Sequence, residues 1–190
     1  MKAPVGQRLP LLVGVVGFVI VAAVAGFVVS SGSDDSGRPG GPDVTDPAKW
    51  DLPTIEGTGR VRLADFKGKP VVVNFFASWC EPCKKELPEF TAAARQLDGK
   101  VAFVGVNSKE ITAPSGIALA RSMGLAEAGI ALARDVGQGS SGLHDRYEVR
   151  NAMPITAFYD AAGELKYVAA GQLTRDKLSA HLQEFFGVAL

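Results

Sequence analysis

Apolar positions fall into two kinds of run along this chain. Residues 11–29 make one unbroken, uncharged apolar stretch, whereas beyond residue 49 the apolar residues come in short blocks separated by polar turns. The first run counts 29 − 11 + 1 = 19 residues, close to the ~20 that cross a bilayer as a helix. Among the later blocks, residues 71–76, 101–106, 130–133, 155–159 and 165–170 are short apolar runs, most of them β-branched or aromatic, and predict strands. Residues 80–97, 115–123, 143–147 and 174–186 carry apolar side chains at helical spacing and predict helices, with Gly99 and Gly124 as stops for the first two. Pro88 predicts a kink in the first helix. Thr174 predicts the cap of the last, with Lys177 standing where a capping box would place a carboxylate. Strand–helix–strand units followed by a hairpin around residues 160–164 and a closing helix predict an α/β fold. Its central sheet is mixed in direction, with helices on both faces.

Charge gives the apolar run an orientation. Lys2 and Arg8 precede it and Asp34 and Asp35 follow, which predicts residues 1–10 in the cytoplasm, residues 11–29 as an anchor and the remainder on the outer face. A cleaved signal peptide is the alternative, since Ala23-Val24-Ala25 resembles a cleavage site. The apolar run nevertheless continues to Val29, past the ~7–15 residues of a signal core. Residues 30–48, rich in Ser, Gly, Pro and Asp, read as a flexible tether, and residues 49–190 as the folded domain. Either reading exports that domain to a compartment where disulfides persist. With 20 Lys and Arg against 20 Asp and Glu, the charge balance suggests no nucleic-acid partner.

The chain has 2 cysteines, Cys80 and Cys83, where the strand at 71–76 runs into the helix at 80–97. Two sulfurs three residues apart on a first helical turn share a face and can close a small disulfide or open to two thiols. Cys80, at the helix N-terminus, is stabilised as a thiolate and is the expected nucleophile. Cys83 is the resolving thiol. Pro82 suits the first turn, and Trp79 and Glu81 flank the nucleophile. As a structural staple so short a loop gains little. A zinc site would need both His144 and His181 to converge on the pair. The remaining histidine roles are surface or capping ones, and residues 84–86 read as a solvated helix face.

Further residues carry a resemblance. Leu52-Pro53, residues 63–75 leading into Ala77-Ser78-Trp79-Cys80-Glu81-Pro82-Cys83, and Met153-Pro154-Ile155-Thr156-Ala157-Phe158 together resemble the membrane-anchored thioredoxin-fold proteins of the TlpA/ResA type, over residues 49–190. That resemblance implies a thioredoxin fold with an insertion before a cis-proline, here within residues 107–147. It also implies that Pro154 is the cis-proline against the cysteine pair and that the Met153 backbone lines the substrate groove beside Trp79. A third implication is an acidic residue by the cysteines, at Glu110, that accepts and returns a proton. Glu81 and Pro82 would tune potential and specificity.

The expected activity is thiol-disulfide exchange on exported proteins, with no cofactor beyond the Cys80–Cys83 disulfide. Reduction is the favoured direction, apocytochrome c a possible client by analogy, and a transmembrane donor the electron source. A DsbA-like oxidase uses the same motif in reverse. A copper-binding assembly factor would need His144 beside the thiols, and a peroxide-reducing enzyme would need direct turnover at Cys80.

Overall fold

Val71–Phe76 is buried at all 6 positions and is the strand around which the rest assembles. The computed structural model describes residues 46–136, 142–149 and 152–190. In chain order its strands are β1 (Asp51–Pro53), β2 (Arg60–Arg62), β3 (Val71–Phe76), β4 (Ala102–Asn107), β5 (Ala131–Arg134), β6 (Ile155–Tyr159) and β7 (Leu165–Ala170). The helices are α1 (Glu81–Leu97), α2 (Ala113–Ser122) and α3 (Arg175–Phe186), with short 3-10 turns at Leu63–Phe66, Ala126–Ala128 and Leu143–Tyr147. The anchor and the signal-peptide alternative lie outside the described residues, as does most of the tether. Among the described residues no helix is long and apolar enough to cross a membrane.

The main sheet has the order β5-β4-β3-β6-β7, and β1 pairs with β2 in a separate hairpin. β3, β4 and β5 are parallel, whereas β6 and β7 run antiparallel to their neighbours. The mixed sheet is therefore as expected. A central parallel strand covered on both faces reads as a continuous apolar run, which is why residues 71–76 show no alternation.

The two faces are covered differently. Val72, Phe76, Phe103 and Phe158 join a core layer with Cys83, Leu87 and Phe90 of α1, Leu119 and Ala120 of α2, and Leu178 and Leu182 of α3. Val71, Val73, Phe75, Val104 and Tyr159 join a second layer with Trp50, Leu52 and Val61 of the hairpin segment and with Leu63, Leu143 and Tyr147 of two 3-10 turns. Helical segments thus cover both faces, but the α-helices share one and 3-10 turns serve the other. Residues 107–147 contribute α2, β5 and the Leu143–Tyr147 turn between β4 and the proline at 154. This segment supplies the edge strand as well as a lid for one face.

Expected boundaries shift by about two residues at most. α1 continues through Pro88 to Leu97, and Thr174 caps α3 by accepting from the Lys177 N–H.

Candidate active site

Three chain segments meet at one end of the sheet because of strand register. β3 runs parallel to β4, with Phe76 opposite Asn107, and antiparallel to β6, with Phe75 opposite Ile155. The residues just beyond that end are 77–80 on one segment, 108–110 on the second and Met153-Pro154 on the third. A hydrogen bond from Ser108 N–H to the Phe76 carbonyl, 2.9 Å, extends the ladder past its last pair.

Cys80 is the N-cap of α1, and its sulfur accepts from the Cys83 N–H at 3.2 Å. The two cysteines form a disulfide with Cα atoms 5.3 Å apart. Both are buried, Cys80 at 2% and Cys83 at 0% exposure, with Cys80 the one at the helix terminus. Pro82 lies in the first turn of α1, where its missing N–H leaves no gap. Glu81 is exposed and paired with Lys84 at 2.6 Å, and that hydrogen bond and charge hold its carboxyl below the usual range. Trp79 is 46% exposed beside the disulfide, with its indole N–H donating to the Lys109 carbonyl at 2.9 Å. The Met153–Pro154 bond is cis, the geometry that proline alone supplies cheaply. Met153 packs against both core layers, one of which contains the cysteines.

Glu110 acts on the loop ahead of Cys80. Its carboxylate accepts from the Ser78 N–H and hydroxyl at 2.7 Å each, from Asn107 Nδ2 at 3.1 Å and from the Ile111 N–H at 3.0 Å. Partial burial pushes its pKa up, but the bonds from Ser78, Asn107 and Ile111 outweigh that, and the carboxyl is held below its ordinary value. A carboxylate so held ties Ser78, two residues ahead of Cys80, to the segment that follows β4.

The buried carboxylate lies elsewhere, on a helix face read from sequence as solvated. Glu86 is 0% exposed, one turn after Cys83 on α1. It accepts from Asn74 Nδ2 at 2.7 Å and from the Leu173 N–H at 2.8 Å. Burial raises its pKa to about 7 even though both hydrogen bonds favour the ionised form. Asn74 Oδ1 is buried without a partner among the described residues, and turning this amide over would let it accept from protonated Glu86. The signal was present in the sequence: residues 83, 86, 87 and 90 follow the i, i+3, i+4, i+7 rule, which places Glu86 on the apolar stripe.

His144 also departs from expectation. His144 is 1% exposed, its Nε2 lies 2.8 Å from the Ala152 carbonyl, and its ring meets Phe75 edge-on. His181 stacks on Phe185 and lies 4.9 Å from the Tyr167 ring. His144 is therefore a core residue, whereas His181 is half-buried at the surface among the rings of Phe158, Tyr167 and Phe185. The copper alternative needs His144 beside both thiols, but its ring is turned to the Ala152 carbonyl. Among the described residues no group of three or more His, Cys, Asp or Glu is placed to hold a metal ion.

The chain is similar to known proteins in sequence and in fold. The family model described as AhpC/TSA family matches residues 44–168. A thiol-disulfide oxidoreductase ResA of Oceanobacillus iheyensis is 28% identical over 171 residues, covering 87% of this chain and 83% of that protein. A thiol:disulfide interchange protein DsbE of Pseudomonas fluorescens biotype C is 31% identical over 138 residues, covering 70% of this chain and 72% of its own. The crystal structure of the pneumococcal exposed lipoprotein thioredoxin Etrx1 from Streptococcus pneumoniae matches with a TM-score of 0.58 at 27% identity, over 72% of this chain and 98% of that one.

Proposed function

We propose that this chain, which belongs to the AhpC/TSA family and is a thiol-disulfide oxidoreductase of the ResA/DsbE type, reduces disulfides in proteins outside the cytoplasm. The observation that carries the direction is Glu86, a buried carboxylate one turn from Cys83 with its pKa raised to about 7. Strongly oxidising pairs owe their potential to a stabilised reduced form. A buried carboxyl one turn from Cys83 disfavours a thiolate at that position, which removes one of the routes by which a pair becomes strongly oxidising.

The cycle balances without a cofactor. The Cys80 thiolate attacks one sulfur of a client disulfide, forming a mixed disulfide and releasing the first client thiolate. Cys83 gives its proton to ionised Glu86, and its sulfur attacks Cys80 Sγ. The Cys80–client bond breaks and the second client thiolate leaves, taking up the proton that Glu86 returns. The first client thiolate takes a proton from solvent, so the client leaves as a dithiol and Cys80–Cys83 as the disulfide. A dithiol donor must then return two electrons, and a transmembrane protein fits that need if residues 11–29 anchor the domain outside. In this reading Trp79 and Met153-Pro154 flank the client segment, Glu110 fixes the loop that carries Cys80, and apocytochrome c is one client.

The reduction potential of the full-length protein, equilibrated against thiol–disulfide buffers, tests the direction. A value below about −220 mV is expected. A value near about −120 mV would make the protein an oxidase. Cys80→Ser is expected to abolish reduction of a disulfide-bonded Cys-x-x-Cys-His peptide, and Cys83→Ser to accumulate the mixed disulfide. Turnover surviving both substitutions would remove the mechanism.

A further inference from the structure

His144 stands outside the exchange chemistry, yet its one ring hydrogen bond ends next to the groove. The Ala152 carbonyl can only accept, so His144 Nε2 carries the hydrogen and donates to it across 2.8 Å. The Met153–Pro154 bond is the cis peptide bond among the described residues, so the Ala152–Met153 unit is trans. In a trans peptide unit the C=O and N–H point in opposite directions. A carbonyl drawn inward to a buried imidazole therefore sends the Met153 N–H outward, at the sheet end shared with Cys80. We infer that His144 is a positioning residue for client binding, holding the Ala152 carbonyl inward so that the Met153 N–H faces an extended client segment lying across Cys80. The inference rests on the functional reading above.

The turn that carries the imidazole is itself held from several sides. Asp135 accepts from the N–H groups of Leu143 and His144 and from the Ser108 hydroxyl, 3.0 Å each. Phe75 packs against the ring with centroids 5.6 Å apart and planes at 77°. The neighbouring Asp145 pairs with Lys109 Nζ at 2.7 Å, and the Lys109 carbonyl in turn holds the Trp79 indole. Bonds thus run from Trp79, next to Cys80, through Lys109 and Asp145 to the turn that carries His144, and from there to Ala152. Both sides of the groove are set by the inserted segment, and a client strand meets an N–H already aimed at it.

Asparagine and glutamine at position 144 separate this role from simple packing. The glutamine amide reaches the Nε2 position and the asparagine amide does not. In the full-length protein, His144→Asn is expected to raise KM for a disulfide-bonded peptide by about five- to tenfold, the worth of one hydrogen bond. kcat, the potential of Cys80/Cys83 and the rate with 2-hydroxyethyl disulfide should stay unchanged, and His144→Gln should restore the peptide KM. Equal peptide KM in the two variants, or an equal slowing with the small disulfide, would overturn the role. A second measurement needs no change at 144: amide exchange at Met153 should slow when the Cys83→Ser protein is joined to the peptide through Cys80. Unchanged exchange there would also overturn it. Failure of the wild-type protein to reduce the peptide would instead count against the functional reading.

Discussion

A carboxyl with no exposed surface is retained on an apolar helix stripe only at a cost in stability, and Glu86 is such a group. Its two acceptor bonds, from Asn74 and Leu173, are insufficient to keep it ionised at its ordinary pKa. A group poised near 7 can take and return a proton at physiological pH. Glu86→Gln keeps the shape and one acceptor oxygen but removes that capacity. The expected result is a loss of about a hundredfold in the rate at which Cys83 resolves the mixed disulfide, together with loss of the pH step near 7. Stopped-flow reduction of a peptide disulfide between pH 5 and 9 checks both, and an unchanged profile would remove Glu86 from proton transfer. Glu110 behaves in the opposite way. Ser78, Asn107 and Ile111 hold it ionised, so Glu110→Gln should impair placement of the Cys80 loop without moving the step near 7.

Elements were legible in the sequence where local pattern and tertiary demand agree. The strands at 71–76, 155–159 and 165–170 and the end of α1 at Leu97 follow directly from periodicity and turn residues. The cysteine pair was legible because a motif and its strand-to-helix setting coincide. What escaped depends on which elements face each other. Glu86 stands in a charged trio with Lys84 and Lys85 along the sequence, although only the stripe it shares with Cys83, Leu87 and Phe90 decides its burial. His144 was read alone, and its partner Ala152 is fixed by the return of the chain through β6. The packing of α2 is a third example. A Cβ on Gly116 would run into the side-chain amide of Asn107. Asn107 cannot easily yield, because its amide donates to the Phe76 carbonyl and to Glu110. Gly116→Ala gains about 1 kcal/mol of helix propensity but meets an overpacking penalty of about 1–3 kcal/mol and disturbs the tie through Glu110. Net destabilisation with slower Cys80 chemistry is expected, measured by urea unfolding and by alkylation of the reduced protein. A more stable variant with unchanged alkylation would show that α2 packs independently of the site.

Across the whole molecule, the redox site and the fold's stability are linked through the same two carboxyls, with opposite signs. Glu86 has a folded pKa raised from 4.5 to about 7. Its burial is fully tolerated below the unfolded pKa, where both states are protonated. Between about 4.5 and 7 the folded state holds a proton that the unfolded state has lost, so stability falls as pH rises, by on the order of 3 kcal/mol in total. Glu110 has a depressed folded pKa, so its contribution is present above the unfolded value and is lost as pH falls through the folded one. The two effects place a stability maximum near the ordinary carboxyl pKa, on the acid side of neutrality. The site therefore works on the descending limb of its own stability curve. Unfolding of the oxidised full-length protein by urea, repeated from pH 3 to pH 8, should show this maximum. Glu86→Gln should flatten the limb above pH 4.5 and leave the acid limb, whereas Glu110→Gln should make the acid limb shallower, Glu81 and Asp160 still contributing to it. A wild-type curve level between pH 4.5 and 7, and unchanged by Glu86→Gln, would mean that Glu86 ionises freely. It would then lack the raised pKa on which the proton relay to Cys83 and the reducing direction both depend.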